Sequence, residues 1–325
     1  MSCSASPIGS RISAPVNLLA QQGHVVMQME YPSFSIIIPT YNRTLQLGRC
    51  LEAVANLDYP LNCFEVIVVD DGSKEPPSDV IDLYSSRFSL KMIRQQNRGP
   101  AGARNTGAAQ AGGKFLAFTD DDCAPGPKWL RSLAAGFAKR PDIAIGGRTE
   151  NAIANNLYSS ASQYILDCVY ACFNTDPEQS QFFASNNLAL PRDLFLAMGG
   201  FDAANFPEAS EDRDLCNRWL HHGYRIAYAP DALVYHSHYL TLTTFIKQHF
   251  RYGRGAFRYH MSCRLHDPKY TVVKMPYYIY LLRRIIIIAV NPKTLPLAIM
   301  LVLLQAANTT GYFVEWAKKH DGKQA

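Results

Sequence analysis

The first part of the chain alternates short apolar runs with segments of helical spacing or composition. The runs, rich in β-branched and aromatic residues, predict strands in "FSIIIPT" (34–40), "FEVIVVDDGS" (64–73), "LKMIRQ" (90–95) and "KFLAFTDDD" (114–122). Helices are predicted between them, in "LQLGRCLEAVANL", at 78–86 and in "GPAGARNTGAAQA". Near-continuous apolar runs are typical of strands buried on both faces. The alternation therefore predicts an α/β fold with a mostly parallel central sheet flanked by helices.

Polar residues follow each of these predicted strands. The segments are Thr40–Arg43, Asp70–Ser73, Asn97–Gly99 and Asp120–Asp122. In an open parallel sheet, ligands bind beyond the carboxyl ends of the strands. We therefore expect the segments to meet at one edge of the sheet. Four polar segments at one edge are stronger evidence for a binding site than any one segment alone.

Three consecutive aspartates, Asp120 to Asp122, follow the last of these strands. An ordinary turn needs only one Asp or Asn to bond its own backbone. Asp120 and Asp122, one residue apart, can bind a hard divalent ion such as Mg²⁺ or Mn²⁺ and leave coordination positions for a diphosphate. For an isolated triplet, an acidic solvated turn would be the better explanation, because such triplets are common by chance. The preceding strand and its companion segments favour the metal site.

A second acidic pair, Glu211 and Asp212, begins a predicted helix whose apolar face includes Leu215 and Trp219. Ser210 is the predicted N-cap of this helix. Acids in a first turn are ordinary helix-start chemistry, because the helix dipole favours their ionised form. A carboxylate kept ionised there can also act as a general base towards a substrate hydroxyl.

Other polar residues have two interpretations each. Asp71 belongs to an Asp–Gly turn signal, or it accepts hydrogen bonds from a nucleoside. Arg104 binds phosphate, or it is a plain surface residue. His236 and His238 would share one face of a strand. A pair of histidines is more often structural, although one of them can complete a metal site with the aspartates.

Composition and charge narrow the class of protein. With 325 residues, of which 48% are hydrophobic, the chain can bury a sizeable core. Its eight cysteines show neither metal-ligand nor disulfide spacing, which indicates reduced thiols and a cytosolic location. The formal charge is +5, and basic residues accumulate in the C-terminal third. They predict a solvated basic face, or attraction to an anionic membrane surface or a phosphorylated substrate. Nucleic acid is not expected, since no DNA- or RNA-binding motif accompanies the charge.

The two ends of the chain differ from the middle. Residues 1–32 contain only a short apolar patch, "VNLLA", and are predicted to be a loosely ordered leader rather than a signal peptide. Thr294–Val314 contains no formally charged residue and approaches the roughly 20 residues of a bilayer crossing. Polar residues such as Gln305 and Asn308 weaken that interpretation. A membrane-inserted or interfacial tail and a helix packed on the domain both remain open.

Six short motifs follow one another along residues 34–240: "PTYNR", "VVDDGS", "NRGPAGARNTG", "FTDDDCAP", "NNLALPRDLFLAMGGFD" and "SEDRDLCNRW". In this order the chain resembles family 2 glycosyltransferases of the GT-A fold. The resemblance implies a catalytic domain at 33–240 with a Rossmann-like, mostly parallel sheet. Its nucleotide-binding half would be 33–125 and its acceptor half 126–240, followed by a basic, aromatic and apolar helical region at 241–325.

The resemblance also implies a nucleotide-sugar donor. The residues that it places around this donor are Thr40, Asn42, Asp71, Arg104, Asn186 and Asn187. The first three are expected to border the nucleoside, and the arginine is expected to lie near the donor. The asparagine pair is expected near both donor and acceptor. UDP is the expected nucleotide because it is the common donor in the family.

For the chemistry, the resemblance implies a divalent cation and inversion at the anomeric carbon in one step. Asp120 and Asp122 would be the metal-binding pair, the DxD motif. His238 would be a further contact to the metal or the diphosphate. Asp212 would be the general base that removes the proton of an acceptor hydroxyl, with Glu211 as the second choice.

One departure concerns processivity. Processive members of the family carry Gln-x-x-Arg-Trp after the catalytic domain, whereas this chain has "QHFRY" at 248–252. It also lacks several clear transmembrane spans. We therefore expect transfer of one sugar per encounter, to a saccharide or lipid-linked acceptor in cell-surface or lipid-linked polysaccharide synthesis. The expected location is the cytoplasmic face of a membrane, with a peripheral or inserted tail.

Two rival functions are weighed against this one. A nucleotidyltransferase acting on sugar phosphates would need a glycine-rich basic loop after the first strand, which "PTYNRTLQLG" does not provide. A catalytically silent nucleotide-sugar-binding protein would not need an intact Asp120, Asp122 and Asp212. Both rivals are therefore disfavoured.

Overall fold

The computed structural model describes residues 31–266 and 275–321. The predicted leader lies outside the described residues except for its last two. From Tyr31 onward the chain forms one unit. The boundary predicted at residue 240 stays a prediction.

Strands and helices alternate along the described chain. The strands are β1 (Phe34–Thr40), β2 (Phe64–Asp70), β3 (Leu90–Arg94), β4 (Phe115–Phe118), β5 (Cys123–Pro125), β6 (Ala144–Asn151), β7 (Leu188–Pro191) and β8 (Ile226–His236). The helices of the catalytic region are α1 (Thr44–Ala55), α2 (Ser78–Ser85), α3 (Gly99–Ala109), α4 (Trp129–Lys139), α5 (Leu157–Phe173), α6 (Arg192–Ala197) and α7 (Glu211–His221). Those of the C-terminal region are α8 (Leu242–His266), α9 (Met275–Ala289) and α10 (Leu295–Asp321).

Within the described ranges, all strands join one sheet of eight, in the order β3-β2-β1-β4-β7-β6-β8-β5. The pairs among β3, β2, β1 and β4 are parallel, and so is the pair β6–β8. The pairs β4–β7, β6–β7 and β5–β8 are antiparallel. The predicted mostly parallel α/β fold is confirmed, and the antiparallel pairs lie in the second half of the sheet.

The core has one layer on each face of the sheet. In β1, Ile36 and Ile38 pack with α1 and α4 on one face, whereas Ile37 packs with α3 on the other. Because strand side chains alternate between faces, an unbroken apolar run supplies both layers. Because β1, β2, β3 and β4 run parallel, their carboxyl ends lie at one edge of the sheet, where the polar segments follow.

The C-terminal helices pack on the catalytic region and on one another. A third apolar cluster contains Ala161 of α5, Phe245 of α8, and Leu301 and Leu304 of α10. In the part of the chain that the structure describes, α10 is the one helix long and apolar enough to cross a membrane, and less than a third of its apolar stretch is buried. The helix thus both packs on the domain and presents an exposed apolar face.

Two glycines allow α8 and α10 to approach closely. A Cβ at Gly253 would overlap the carbonyl oxygen of Asn308, and one at Gly311 would overlap that of Phe250. Glu315 of α10 joins the same pair of helices through ion pairs with arginines of α8. Even the smallest side chain at either glycine would force the two helix backbones apart.

We therefore expect Gly253→Ala and Gly311→Ala each to lower the free energy of unfolding by about 1–3 kcal/mol, the usual cost of overpacking. The matched control is Gly48→Ala in α1, where a new Cβ would lie 3.8 Å from Val80, an ordinary contact. This control is expected to stabilise the chain by roughly 0.5–1 kcal/mol through reduced backbone entropy. Chemical denaturation measures all three. Equal effects at positions 48 and 253 would contradict close helix packing.

Candidate functional site

A cavity of about 1080 Å³ lies at the carboxyl ends of the central strands. Thr40, Asp71, Asn97 and Asp120 bring one residue each from the four polar segments to its wall. Helices α5, α7, α8, α9 and α10 supply the opposite wall. The structure therefore brings the four segments together, and it adds a second side that the strand pattern did not indicate.

Asp71 organises the loop before α3. Its Oδ1 accepts hydrogen bonds from the Arg98 amide at 2.9 Å and the Gln95 side chain at 2.6 Å, and its Oδ2 accepts one from the Gly99 amide at 2.9 Å. Gly99 has a φ of 78°, and a Cβ there would lie 2.7 Å from the Pro207 carbonyl oxygen. The carboxylate thus holds a turn that only glycine fits easily.

Thr40 and Asn42 follow β1 but have different surroundings. Thr40 lines the cavity, whereas Asn42 is not among the cavity-lining residues. The amide of Asn42 donates to the Ser73 hydroxyl at 2.8 Å, and its side-chain oxygen accepts from the Lys74 amide at 2.9 Å. Asn42 therefore ties the loop after β1 to the loop after β2.

Asp121, to which the sequence assigned no role, fastens the aspartate loop to β1. Its carboxylate accepts a hydrogen bond from the Thr40 hydroxyl at 2.8 Å and pairs with Arg43 at 3.1 Å. Burial and the neighbouring Asp122 raise the pKa of Asp121 to about 6, although Arg43 and Thr40 lower it. Asp121 thus positions the two aspartates on either side of it.

Asp122 is held between two cationic partners. Its carboxylate lies 3.2 Å from His236 Nε2 and 2.9 Å from Arg43. Burial acts to raise the pKa of Asp122, but His236 and Arg43 together hold it well below its usual range. Burial acts to lower the pKa of His236, and the bond to Asp122 raises it overall. Asp122 is therefore ionised throughout the neutral range.

His236, rather than His238, is the histidine against Asp122. The strand β8 ends at His236, so His238 lies beyond it, with its ring 5.0 Å from the His236 ring. His238 also lines the cavity. Burial and the neighbouring His236 lower its pKa to about 4. The sequence indicated the pair of histidines. Which of the two lies against Asp122 depends on where β8 ends, and the sequence did not indicate that.

The residues around Asp122 fit a divalent cation. Ligand atoms of Asp122, Cys123 and His236 lie within 4.8 Å of one another. Burial raises the pKa of the Cys123 thiol well above its usual value, so the carboxylates and the imidazole are the better donors. Oxygen donors with one histidine suit Mn²⁺, and carboxylates suit Mg²⁺. Asp120, whose side chain is 27% exposed, faces the same cavity.

Glu211 and Asp212 stand at the start of α7, as the pattern indicated. Ser210 is the N-cap residue of α7, as predicted. Ser210 occupies the N-cap position with a left-handed φ of 74°, and its side chain makes no capping bond. Its hydroxyl lies instead against Gly255 of α8. The left-handed turn directs the acidic pair towards the cavity, and both acids line it.

Arg104 links the two acidic groups. Its guanidinium pairs with Asp120 at 2.6 Å and with Glu211 at 3.0 Å, and its side chain is only 4% exposed. Its Nε has no hydrogen-bond partner among the described residues. One buried cation thus bridges the aspartate loop after β4 and the start of α7.

The two acids of α7 share their burial but have different neighbours. Burial raises the pKa of both carboxyl groups. The charge of Asp212 raises the pKa of Glu211 further, whereas the charge and amide of Arg213 lower that of Asp212. Glu211 is committed to the ion pair with Arg104, which leaves Asp212 as the candidate base.

The two asparagines diverge. Asn186 lines the cavity. Asn187 accepts from the Trp129 indole at 2.9 Å and donates to the backbone oxygens of Arg148 at 2.9 Å and Ala232 at 2.8 Å. Its polar atoms are thus committed to holding α4, β6 and β8 together.

Comparison with known proteins identifies the family of this chain. The sequence profile of the family "Glycosyl transferase family 2" matches residues 35–204, just over half of the chain. The chain belongs to glycosyl transferase family 2. The matched region contains the four polar segments and the asparagine pair, and it ends before α7.

Named relatives support this membership of family 2. The chain is 29% identical over 245 residues to the glycosyltransferase AglE of Haloferax volcanii, a match that covers 74% of this chain and 78% of AglE. It is 31% identical over 233 residues to the pre-mycofactocin glycosyltransferase of Mycobacterium tuberculosis, covering 68% of this chain but 46% of that protein. The chain is therefore a glycosyltransferase.

Solved structures of similar fold are GT-A glycosyltransferases. The mannosyltransferase PcManGT of Pyrobaculum calidifontis, solved with GDP-Man and Mn²⁺, gives a TM-score of 0.65 at 17% identity, covering 87% of this chain and 88% of that one. GalNAc-T7, solved with UDP, GalNAc and Mn²⁺, gives 0.54 at 17% identity, covering 77% and 52%. At these identities the likeness establishes the GT-A fold.

Proposed function

We propose that this family 2 member is an inverting, metal-dependent glycosyltransferase that moves one sugar per encounter from a UDP-sugar to an acceptor hydroxyl. The observation that carries the proposal is the continuous run of contacts from Asp120 through Arg104 to Glu211 in one cavity. These contacts support a cation-binding group at Asp120 and a base at the start of α7 within the same cavity.

In this mechanism the donor end is formed by the aspartate loop. Asp120, Asp122 and His236 are the residues that would hold Mn²⁺ or Mg²⁺, with His238 as a further contact. When bound, the cation neutralises negative charge on the leaving diphosphate. Arg43 fixes Asp122, and Arg104 fixes Asp120. Thr40 and Asp71 border the nucleoside in the proposed arrangement, and Asn186 faces both substrates.

At the acceptor end, Asp212 takes the proton from the attacking hydroxyl. The oxygen–anomeric carbon bond forms as the bond from that carbon to the diphosphate oxygen breaks, and the leaving diphosphate keeps the electron pair. Attack from the opposite face inverts the anomeric centre. Because the displacement is a single step, no serine or cysteine nucleophile is needed.

A thermal-shift screen over UDP-, GDP- and dTDP-sugars, each with Mn²⁺, Mg²⁺ or chelator, tests the donor and the cation together. A ligand that binds only the folded state raises its stability by mass action. We expect the largest shift with a UDP-sugar and a divalent ion. GDP-mannose is the competing donor, since PcManGT was solved with GDP-Man. A largest shift with GDP-mannose would overturn the UDP assignment, and equal shifts in chelator would overturn the metal.

We further propose that the protein is peripheral to the cytoplasmic face of a membrane and acts in cell-surface or lipid-linked polysaccharide synthesis. The outer faces of α9 and α10 expose large apolar side chains, among them Ile286, Ile287, Val302 and Trp316. Basic residues such as Arg283 lie beside them. An apolar helical face flanked by basic residues is typical of helices lying in an anionic membrane surface.

This proposal predicts that the double substitution Ile286→Asp, Ile287→Asp weakens binding to anionic vesicles at least about tenfold, because burial of each methylene contributes roughly 0.8 kcal/mol. The matched control is Leu45→Asp with Leu83→Asp, since these leucines are 80% and 66% exposed on α1 and α2. Co-sedimentation with phosphatidylglycerol vesicles measures both. Unchanged binding of the α9 variant would contradict a membrane role for this face.

A further inference from the structure

An aromatic cleft forms part of the cavity wall that the helices α5 and α9 supply. It is defined by Val169 and Phe173 of α5, Phe182, and Tyr277 and Tyr278 of α9, all of which line the cavity. The rings of Phe173 and Tyr277 lie 6.0 Å apart. Nothing in the chemistry of a nucleotide sugar requires such a surface. Its size and composition suit an apolar chain.

Arg213 stands between this cleft and the proposed base. It follows Asp212 directly in α7, and its guanidinium lies 5.2 Å from the centroid of the Phe182 ring. Its charge also acts on Tyr277 across the cleft. The Arg213 guanidinium thus lies against the aromatic cleft, one residue after the proposed base Asp212.

Arg213 lines the cavity without an ion-pair partner in the described chain. Among the ion pairs of residues 31–265 and 275–320, none involves Arg213. In contrast, Arg43, Arg104 and Arg218, which lie in or near the same region, each pair with a buried aspartate or glutamate. A guanidinium that lines a cavity without such a partner favours an anionic ligand, and phosphate suits its donor geometry.

The cleft is continuous with the exposed apolar face of α9. Tyr278 lines the cavity yet is 48% exposed, and Leu282 and Ile286 follow it at intervals of four residues. Residues four apart share one face of a helix. An apolar stripe therefore runs from the cavity onto the surface that we assign to the membrane.

We propose that the acceptor is a membrane lipid whose saccharide is attached through a phosphate, with the phosphate on Arg213, the lipid chain in the aromatic cleft, and a sugar hydroxyl at Asp212. This rests on the proposed glycosyl transfer and deepens it, because it names the acceptor class. The new glycosidic bond forms at the hydroxyl oxygen, its proton passes to Asp212, and the linking phosphate is unchanged.

The test measures binding of simple probes to the full-length protein by titration calorimetry. The probes are geranyl phosphate, geraniol and inorganic phosphate. We expect Arg213→Gln to weaken geranyl phosphate binding about tenfold or more, as loss of a charge-assisted contact does, and to leave geraniol binding unchanged. Arg213→Lys should retain part of the affinity. Phe173→Ala should weaken both geranyl ligands.

Arg131→Gln is the matched control. Arg131 also lies over an aromatic ring, 5.8 Å from the centroid of Tyr31, but it lines a separate, smaller cavity and not the one that contains Arg213. Its substitution should leave all three probes unaffected. Equal geranyl phosphate affinity in the wild type and Arg213→Gln would overturn the proposal. Inorganic phosphate binding as tightly as geranyl phosphate would also overturn it, since the site would then recognise free phosphate.

Measurements of donor binding distinguish a failure of the acceptor proposal from a failure of the proposed function. Arg213→Gln should keep the wild-type thermal shift with nucleotide sugar and cation while losing geranyl phosphate, which supports the acceptor assignment by itself. If Arg213→Gln loses the donor shift and keeps geranyl phosphate, the arginine serves the donor and the acceptor assignment is overturned. A wild-type protein that binds geranyl phosphate but no nucleotide sugar overturns the proposed function alone.

Discussion

Asp212→Asn is expected to abolish sugar transfer while leaving donor affinity close to that of the wild type. Loss of a general base costs about 10²–10⁴ in rate. The asparagine keeps the size of the side chain, so the start of α7 and the Arg104–Glu211 pair remain. Initial rates with the donor found by the screen measure the loss, and calorimetry measures donor binding.

The matched control for this variant is Asp193→Asn, because the Asp193 side chain is 85% exposed on α6. It is expected to transfer sugar at the wild-type rate. Glu211→Gln distinguishes the two acids of α7. If Glu211→Gln stops transfer and Asp212→Asn retains it, Glu211 is the base and the assignment to Asp212 is wrong.

The pH profile gives a second measure of the same base. Burial raises the pKa of Asp212 above that of an exposed aspartate. A base acts only when ionised, so activity is present above the raised pKa and is lost as the pH falls through it. We therefore expect the acidic limb of kcat/KM to lie above the range of an ordinary aspartate. A limb at the ordinary value would show that the essential base is exposed.

The second large effect is expected at the metal-binding pair. Asp122→Asn should reduce donor affinity in Mn²⁺ to the level measured in chelator. The loss should be at least the ~10–100-fold that changes in outer-shell partners cost, because a carboxylate ligand is removed directly. Titration of UDP with and without Mn²⁺ measures it. The fold should persist, since the amide side chain keeps the shape of the carboxylate between His236 and Arg43.

Cys123→Ser is the matched control for Asp122→Asn. Cys123 is buried next to Asp122, and burial holds its thiol protonated by raising its pKa. Its replacement should leave the Mn²⁺ dependence of UDP binding intact. If Asp122→Asn still binds UDP only with Mn²⁺, the cation is held by other groups and the metal assignment fails.

The C-terminal helix α10 shows a limit of prediction from the hydrophobic pattern. An uncharged apolar stretch is compatible with a membrane segment and with a packed helix, because both need the same side chains. The structure shows that α10 meets α8 through Gly253 and Gly311 while leaving Ile299 and Val302 exposed. Which face of the helix is covered depends on residues of another helix far away along the chain, and composition does not contain that information.

The same limit applies to Asp121 and Asn187. The sequence assigned no role to Asp121, and it placed Asn187 near both donor and acceptor. Their partners, Thr40 and Trp129, lie 81 and 58 residues away. Because Asp121 lies in the loop after β4 and its partners lie on and after β1, no local pattern of the sequence indicates its structural role.

By itself, the sequence predicted the first four strands, their parallel arrangement and the polar segments that meet at one edge, because these follow from local periodicity and from the geometry of parallel sheets. Membership of the family followed from motifs in order. Only the tertiary structure decided that His236 rather than His238 adjoins Asp122, that Arg104 bridges Asp120 and Glu211, and that α9 brings an aromatic cleft beside Arg213. These are contacts between distant segments, and packing of the whole chain sets their distances.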